Sequence, residues 1–126
     1  MIRAGYFPNF KDRRPTVLFW GNADGMRHLI SMLGKLPAVG GQFRMGDFAN
    51  DAPALVMRSA TTSLGMQRRQ GSFEWILEPK AAADFRDKVP VLAEANLPGH
   101  QYLECGATGE IIVVVSCGEY PADLKP

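Results

Sequence analysis

Charge of one sign is what this sequence lacks most plainly. Its 126 residues hold 14 Lys and Arg against 13 Asp and Glu, a net charge of +1. So even a balance argues against a protein that grips polyanions by bulk charge, and nucleic acid is not an expected partner. Cysteine is scarce too: Cys105 and Cys117 stand alone. Each sits in or beside an apolar run, where a free thiol behaves as a small hydrophobe. The two read as buried thiols and not as a disulfide framework. The chain has only two histidines, His28 and His100. No cluster of further ligands surrounds either in sequence, so no metal or other cofactor is expected. Long apolar runs are missing as well. The longest, Ile111 to Val115, is far short of the ~18–20 residues a membrane helix needs. At the start, Met1 to Pro8 gives way at once to Asn9, Lys11, Asp12, Arg13 and Arg14. No apolar signal core precedes a small-residue cleavage site, so the cytoplasm is the expected compartment.

What is present is ordinary for a folded globule: 46% apolar and 21% charged residues. The length suits one domain, which commonly runs ~100–200 residues. Residues 1–15 read as an irregular arm, since Pro8 and Pro15 bracket a charged stretch without period. Residues 16–121 read as a single α+β domain and 122–126 as a tail. Thr16 to Trp20 is β-branched and aromatic, a first strand ended by Gly21-Asn22. Asn22 or Asp24 can cap a helix running to about Leu36, with Met26, Leu29, Ile30, Leu33 and Leu36 as its apolar stripe. Gln42 to Phe48 is a second strand. Asn50-Asp51-Ala52-Pro53 is turn chemistry, and Ala54 to Ser59 is a third strand that extends toward Met66. Arg68 to Gly71 reads as a polar turn and Ser72 to Glu78 as a fourth strand, with Phe73, Trp75 and Leu77 on one face. A helix follows from Pro79, with Ala82, Phe85, Val89 and Leu92 on its buried side. Pro90 is expected to kink or split it near Lys88. His100 to Cys105 and Glu110 to Cys117 are the last two strands. Ile111 to Val115 is apolar throughout, which marks a central strand covered on both faces.

The order strand, helix, strand, strand occurs twice, over 16–66 and 71–117. The expected fold is therefore a tandem β-α-β-β repeat, one mixed or antiparallel sheet with two helices on one face and the two halves related by a pseudo-twofold axis. A groove between the halves is the expected place for a ligand or partner. Trp20, Trp75, Tyr102 and Tyr120 are the aromatic candidates to line it.

Four constellations bear on chemistry. His100, Tyr102 and Glu104 alternate along a strand and leave it on one face. A His and a Glu so placed can share a proton, although a solvated outer face is the plainer reading. Cys117 follows the most buried strand and would be a nucleophile only with a base beside it. Gly21 to Gly25 opens a helix, but its spacing fits neither a Walker loop nor a dinucleotide fingerprint, so it reads as a cap and a tight turn. Arg58, Arg68 and Arg69, near Phe73 and Trp75, are too slight a basic patch for a nucleic-acid platform.

Three segments, Phe19-Trp20-Gly21-Asn22-Ala23-Asp24-Gly25, Gly99-His100-Gln101-Tyr102-Leu103 and Val115-Ser116-Cys117-Gly118-Glu119-Tyr120-Pro121, together resemble those of small stand-alone bacterial proteins with no assigned activity. The resemblance implies a compact domain between Val17 and Pro121 and carries over no catalytic residue. Some small bacterial domains of this size are immunity proteins to toxins. The leading expectation is non-enzymatic binding of a protein partner or a small ligand, with a homodimer through an exposed edge strand as one form of it. The alternatives are an immunity or antitoxin protein, or a small hydrolase or transferase using Cys117, or His100 with Glu104.

Overall fold

β-branched and aromatic stretches become strands here, and two apolar stripes at helical spacing become helices. The structure is a computed structural model that describes residues 2–46, 54–95 and 97–125. Among these the elements run β1 (Ile2–Phe7), β2 (Thr16–Gly21), α1 (Ala23–Leu33), β3 (Gln42–Gly46), β4 (Ala54–Ser59), β5 (Gly65–Arg69), β6 (Ser72–Leu77), α2 (Pro79–Glu94), β7 (Gly99–Tyr102) and β8 (Ile112–Cys117). The class is α+β, as the alternation of strand and helix patterns implies. The predicted turn Asn50–Pro53, and the last two residues of the predicted second strand, lie outside the described residues.

The strands form two sheets and not the single sheet expected. Sheet A has the order β1-β2-β8-β7 and sheet B the order β3-β4-β6-β5. Each has a parallel central pair, β2 with β8 or β4 with β6, flanked by antiparallel strands. Among the described residues a single bridge, Met66 to Ile111, joins one sheet to the other. The split follows from which hairpins meet. β3–β4 finds β5–β6 next to it in sequence, while β1–β2 takes its partners from the far end of the chain.

Exchanging β1-β2-α1-β3-β4 for β5-β6-α2-β7-β8 turns one sheet order into the other. The outer hairpins keep the same register. Gln42 faces Arg58 and Arg44 faces Val56 in one, and His100 faces Ser116 and Tyr102 faces Val114 in the other. The parallel pairs, however, put Trp20 opposite Ser116 and Trp75 opposite Met57. Trp20 therefore corresponds to Ile76, and Trp75 to Phe19. The two tryptophans project from opposite faces of equivalent strands and occupy unrelated surroundings.

Three further expectations change. The supposed arm contains β1, which pairs along its length with β2. Only Pro8 to Pro15 is irregular, with one 3-10 turn at Lys11–Arg13 in which Asp12 and Arg13 take positive φ. Arg68 and Arg69 lie in β5 rather than in a turn, because Gln70-Gly71, with Gly71 at φ +79°, is enough to reverse the chain into β6. α2 runs unbroken through Pro90. Val89 and Leu92 are buried on either side of the proline, and this anchorage offsets the one helical hydrogen bond that Pro90 cannot make.

The α2 stripe behaves as read, whereas α1 stops at Leu33, capped by Gly34, so that Leu36 falls outside the helix and Ile30 is only half-buried. Met26, Leu29 and Leu33 of α1, and Ala82, Phe85, Val89 and Leu92 of α2, are buried. The Asn22 side chain caps α1 by accepting from the Gly25 N–H at 2.9 Å. Both helices pack on each other and on the inner faces of the sheets, around Phe19, Val115, Met57, Phe73 and Trp75. Phe19, Trp75 and Phe85 stack in sequence at 5.5 and 5.6 Å between ring centroids. The seam expected to be a groove between the halves is thus filled by core side chains. On the outer face of sheet A a second cluster of Phe7, Leu18, Trp20 and Val114 is covered by Phe10, Tyr120 and Leu124.

Candidate functional site

The polar groups that converge do so at the carboxyl ends of β2 and β8, where the chain turns at Gly118 and runs back over sheet A. Gly118 takes φ +76°, a conformation that favours glycine, and its N–H donates to the Gly21 carbonyl at 3.0 Å. That turn brings Glu119 back over β8 and β7. The Ser116 hydroxyl donates to Glu119 Oε1 at 2.5 Å, and His100 Nδ1 lies 3.1 Å from each carboxylate oxygen. Partial burial of Glu119 acts to raise its pKa. The Ser116 and His100 hydrogen bonds and the nearby His100 and Lys11 charges outweigh it and hold the carboxyl below its ordinary value.

This arrangement differs from a catalytic triad in one decisive respect. In a triad the base stands between nucleophile and acid. Here Ser116 and His100 both turn to the same carboxylate, so the hydroxyl is committed to an acceptor that is already ionised. Ser116 is also fully buried. The geometry makes a latch: one carboxylate ties β7, β8 and the C-terminal segment together.

The other predicted residues fall as follows. His100 and Tyr102 share the outer face of β7, with rings in edge contact at 5.9 Å. Glu104 lies beyond the end of β7 and joins Tyr102 along a small cleft of about 180 Å³ beside the Lys11–Arg13 turn. The carboxylate that reaches His100 is Glu119 and not Glu104. Cys117 ends β8, and burial alone pushes its thiol up. Cys105 is pushed up to about 11, first by burial and then by the Glu110 carboxylate beside it. Both cysteines are free. Trp20 is 1% exposed and its indole N–H donates to the Pro121 carbonyl at 2.9 Å. Trp75 is 0% exposed in the main core, and its indole nitrogen finds no acceptor among the described residues. Neither tryptophan can face a ligand. Tyr120 lies over Phe10 at 6.0 Å as part of the cover on sheet A. Tyr102, at 44% exposure, is the one predicted aromatic that is open to a partner.

Sequence reasoning paired His100 with Glu104 because alternation along a strand was the visible signal. The signal for Glu119 was the glycine at 118, a turn residue that folds a carboxylate back on the strand it follows. Glu110 was also missed. It accepts from the Cys105 and Gly106 N–H groups at 3.2 and 2.8 Å. It lies where a β-carbon on Gly65 would be.

The outer face of sheet B, equivalent to the latched face, is different in kind. Its cross-strand rows are Gln42, Arg58, Ile76, Gly65 and then Arg44, Val56, Glu74, Gln67, with Arg69 at one corner. Arg58 donates to Gln42 Oε1 at 3.0 Å. It also approaches Glu74 Oε1 to 3.0 Å, close enough for an ion pair but not aligned as a hydrogen bond. No hydrophobic cluster forms over this face among the described residues. Arg68 points the other way, over the rings of Tyr6 and Phe73 at 5.2 and 5.6 Å.

Among the described residues, no three His, Cys, Asp or Glu side chains stand together to hold a metal ion, and no helix is long and apolar enough to cross a membrane. No family model, curated protein or solved structure matches the chain.

Proposed function

We propose that this is a non-enzymatic binding domain that docks an acidic protein surface on the outer face of sheet B. The observation that carries the reading is the difference between two equivalent sheet faces: one is closed by the protein's own C-terminal segment, and the other, among the described residues, presents Arg58 beside Gln42 and Glu74, with Arg69 at its corner. Arginine beside a half-buried apolar residue such as Val56 is the composition of protein interfaces, where its guanidinium pairs with carboxylates in two-point contacts. A toxin held by an immunity protein would be one such partner. The free thiols suit the reducing cytoplasm. A second copy pairing along the outer edge of β7 or β3 is the alternative occupant.

Against a hydrolase stand the raised thiols and the shared acceptor of Ser116 and His100. With a pKa of about 11, Cys105 is almost wholly protonated at neutral pH. Native-state labelling of both thiols should be slow and should accelerate on unfolding; rapid native modification of Cys117 would revive the enzyme reading. The binding reading is tested by placing a photo-crosslinking residue at Val56 in cells, with the same residue at Arg27 on α1 as control. Adducts are expected from Val56, suppressed by Arg58→Glu with Arg69→Glu. Equal adducts from Arg27, or adducts insensitive to the double charge reversal, would remove it.

A further inference from the structure

We propose that Gly118–Lys125 is an acid-released strap: ionised Glu119 locks it over the outer face of sheet A, and protonation of that carboxylate lifts it while the remainder of the fold persists. The observations are geometric. The strap begins at Gly118, whose positive φ makes a natural hinge. Beyond it, polar attachments among the described residues hold the segment down: Glu119 with Ser116 and His100, and the Pro121 carbonyl with the Trp20 indole. Between and after them Tyr120 and Leu124 cover the Phe7, Leu18, Trp20 and Val114 cluster. Leu124 adds only a local turn, its N–H donating to the Pro121 carbonyl at 3.1 Å.

The strap is open on both flanks. On one side a cleft of about 270 Å³ lies between Arg3, Trp20 and Gly118, Tyr120 and Ala122. On the other, a cleft of about 570 Å³ separates Tyr6, Pro8 and Phe10 from Leu124 and Lys125. A segment flanked by open space and held by these anchors leaves without opening the main core, which lies on the opposite face of the sheet. Local opening of this kind has its own, smaller free energy.

Glu119 is the anchor that titrates. The charged and titratable groups facing it are His100 from β7 and Lys11 from the 3-10 turn, with the Ser116 hydroxyl from β8. Asp123 and Lys125 lie further along the strap itself, and Arg3 of β1 faces its flank. When Glu119 is ionised, all three neighbours favour it. When it is protonated, it loses the attraction of Lys11, its charged contact with His100 and its strength as an acceptor for Ser116. The carboxyl is held below its ordinary value, so the lock is fully present above that value and is lost as the pH falls through the lowered one.

The two tryptophans supply the readout, Trp20 under the strap and Trp75 in the main core. Fluorine NMR of the full chain labelled with 5-fluorotryptophan, in the presence of a soluble nitroxide, separates local release from unfolding. On acidification the Trp20 resonance is expected to shift and broaden at a higher pH than the Trp75 resonance. Glu119→Gln should show a broadened Trp20 signal at neutral pH with Trp75 unchanged, and Ser116→Ala should raise the pH at which Trp20 broadens. A single shared midpoint for both tryptophans in the wild-type chain would overturn the proposal, as would a Glu119→Gln variant whose Trp20 signal matches wild type throughout.

Discussion

The outer faces of the two sheets share one strand plan and have opposite characters. On sheet A the central pair presents Leu18, Trp20 and Val114, and the chain spends its own segments to cover them. On sheet B the corresponding positions are Glu74, half-buried Val56 and buried Ile76, with Arg58 beside them on β4 and Arg44 and Gln67 on the outer strands. The backbone hydrogen bonds do not distinguish the faces; side-chain chemistry does. An apolar face left in water costs about 25 cal/mol for each Å² that a cover would bury, so a cover forms where the face is apolar and has no driving force where it is polar.

The sharpest way to break this comparison is to cut one side chain from each face. Leu18→Ala is expected to cost about 2–5 kcal/mol in urea unfolding, as for a fully buried leucine. Val56→Ala, half-buried on the other face, is expected to cost about 1 kcal/mol or less. Equal losses would mean that the outer face of sheet B is also packed.

The junction of the sheets gives the next effect. Gly65 has φ +70° and lies against Glu110, one residue before the Met66–Ile111 bridge. Gly65→Ala should therefore destabilise by about 1–3 kcal/mol, from left-handed strain and from displacement of Glu110. Gly71→Ala, with φ +79° but open space around it, isolates the strain alone and should cost less.

The smallest effect belongs to the latch. Glu119→Gln is expected to cost about 1 kcal/mol at pH 7, since its carboxylate is partly exposed and its charged hydrogen bonds are correspondingly screened. Because the folded carboxyl titrates below its ordinary value, the cost should shrink as pH falls through that lowered value. Chemical denaturation of both proteins from neutral to acid pH measures it; a difference that grows in acid would show the sign to be wrong.

Much of the fold was legible in the residues. Met26, Leu29 and Leu33 of α1, the α2 stripe, the Asn22 cap, and Phe73, Trp75 and Leu77 on one strand face all stand where periodicity puts them, while Leu36 falls beyond the end of α1. β1 was not legible, because Ile2 to Phe7 has no clean alternation and its partner is β2 across an irregular stretch. β5 was hidden because Arg68 and Arg69, running into Gln70-Gly71, look like turn residues; the contact of Arg68 with Tyr6 and Phe73 explains an arginine on an inner face. Of the candidate residues, His100 was placed rightly on its strand face but given the wrong carboxylate, since Glu119 reaches it from a different element.

Sequence alone settled which segments are helix and strand for most of the chain, and which side chains of each seek the interior. Those properties are local: a repeat of 3.6 or 2 residues decides them within one segment. Only the tertiary structure decided that there are two sheets, that Trp20 and Trp75 lie on opposite faces, and that Ser116, His100 and Glu119 meet. Such meetings depend on pairings between distant strands and on a single turn at Gly118, and a one-residue change of register moves a side chain to the other face of its sheet.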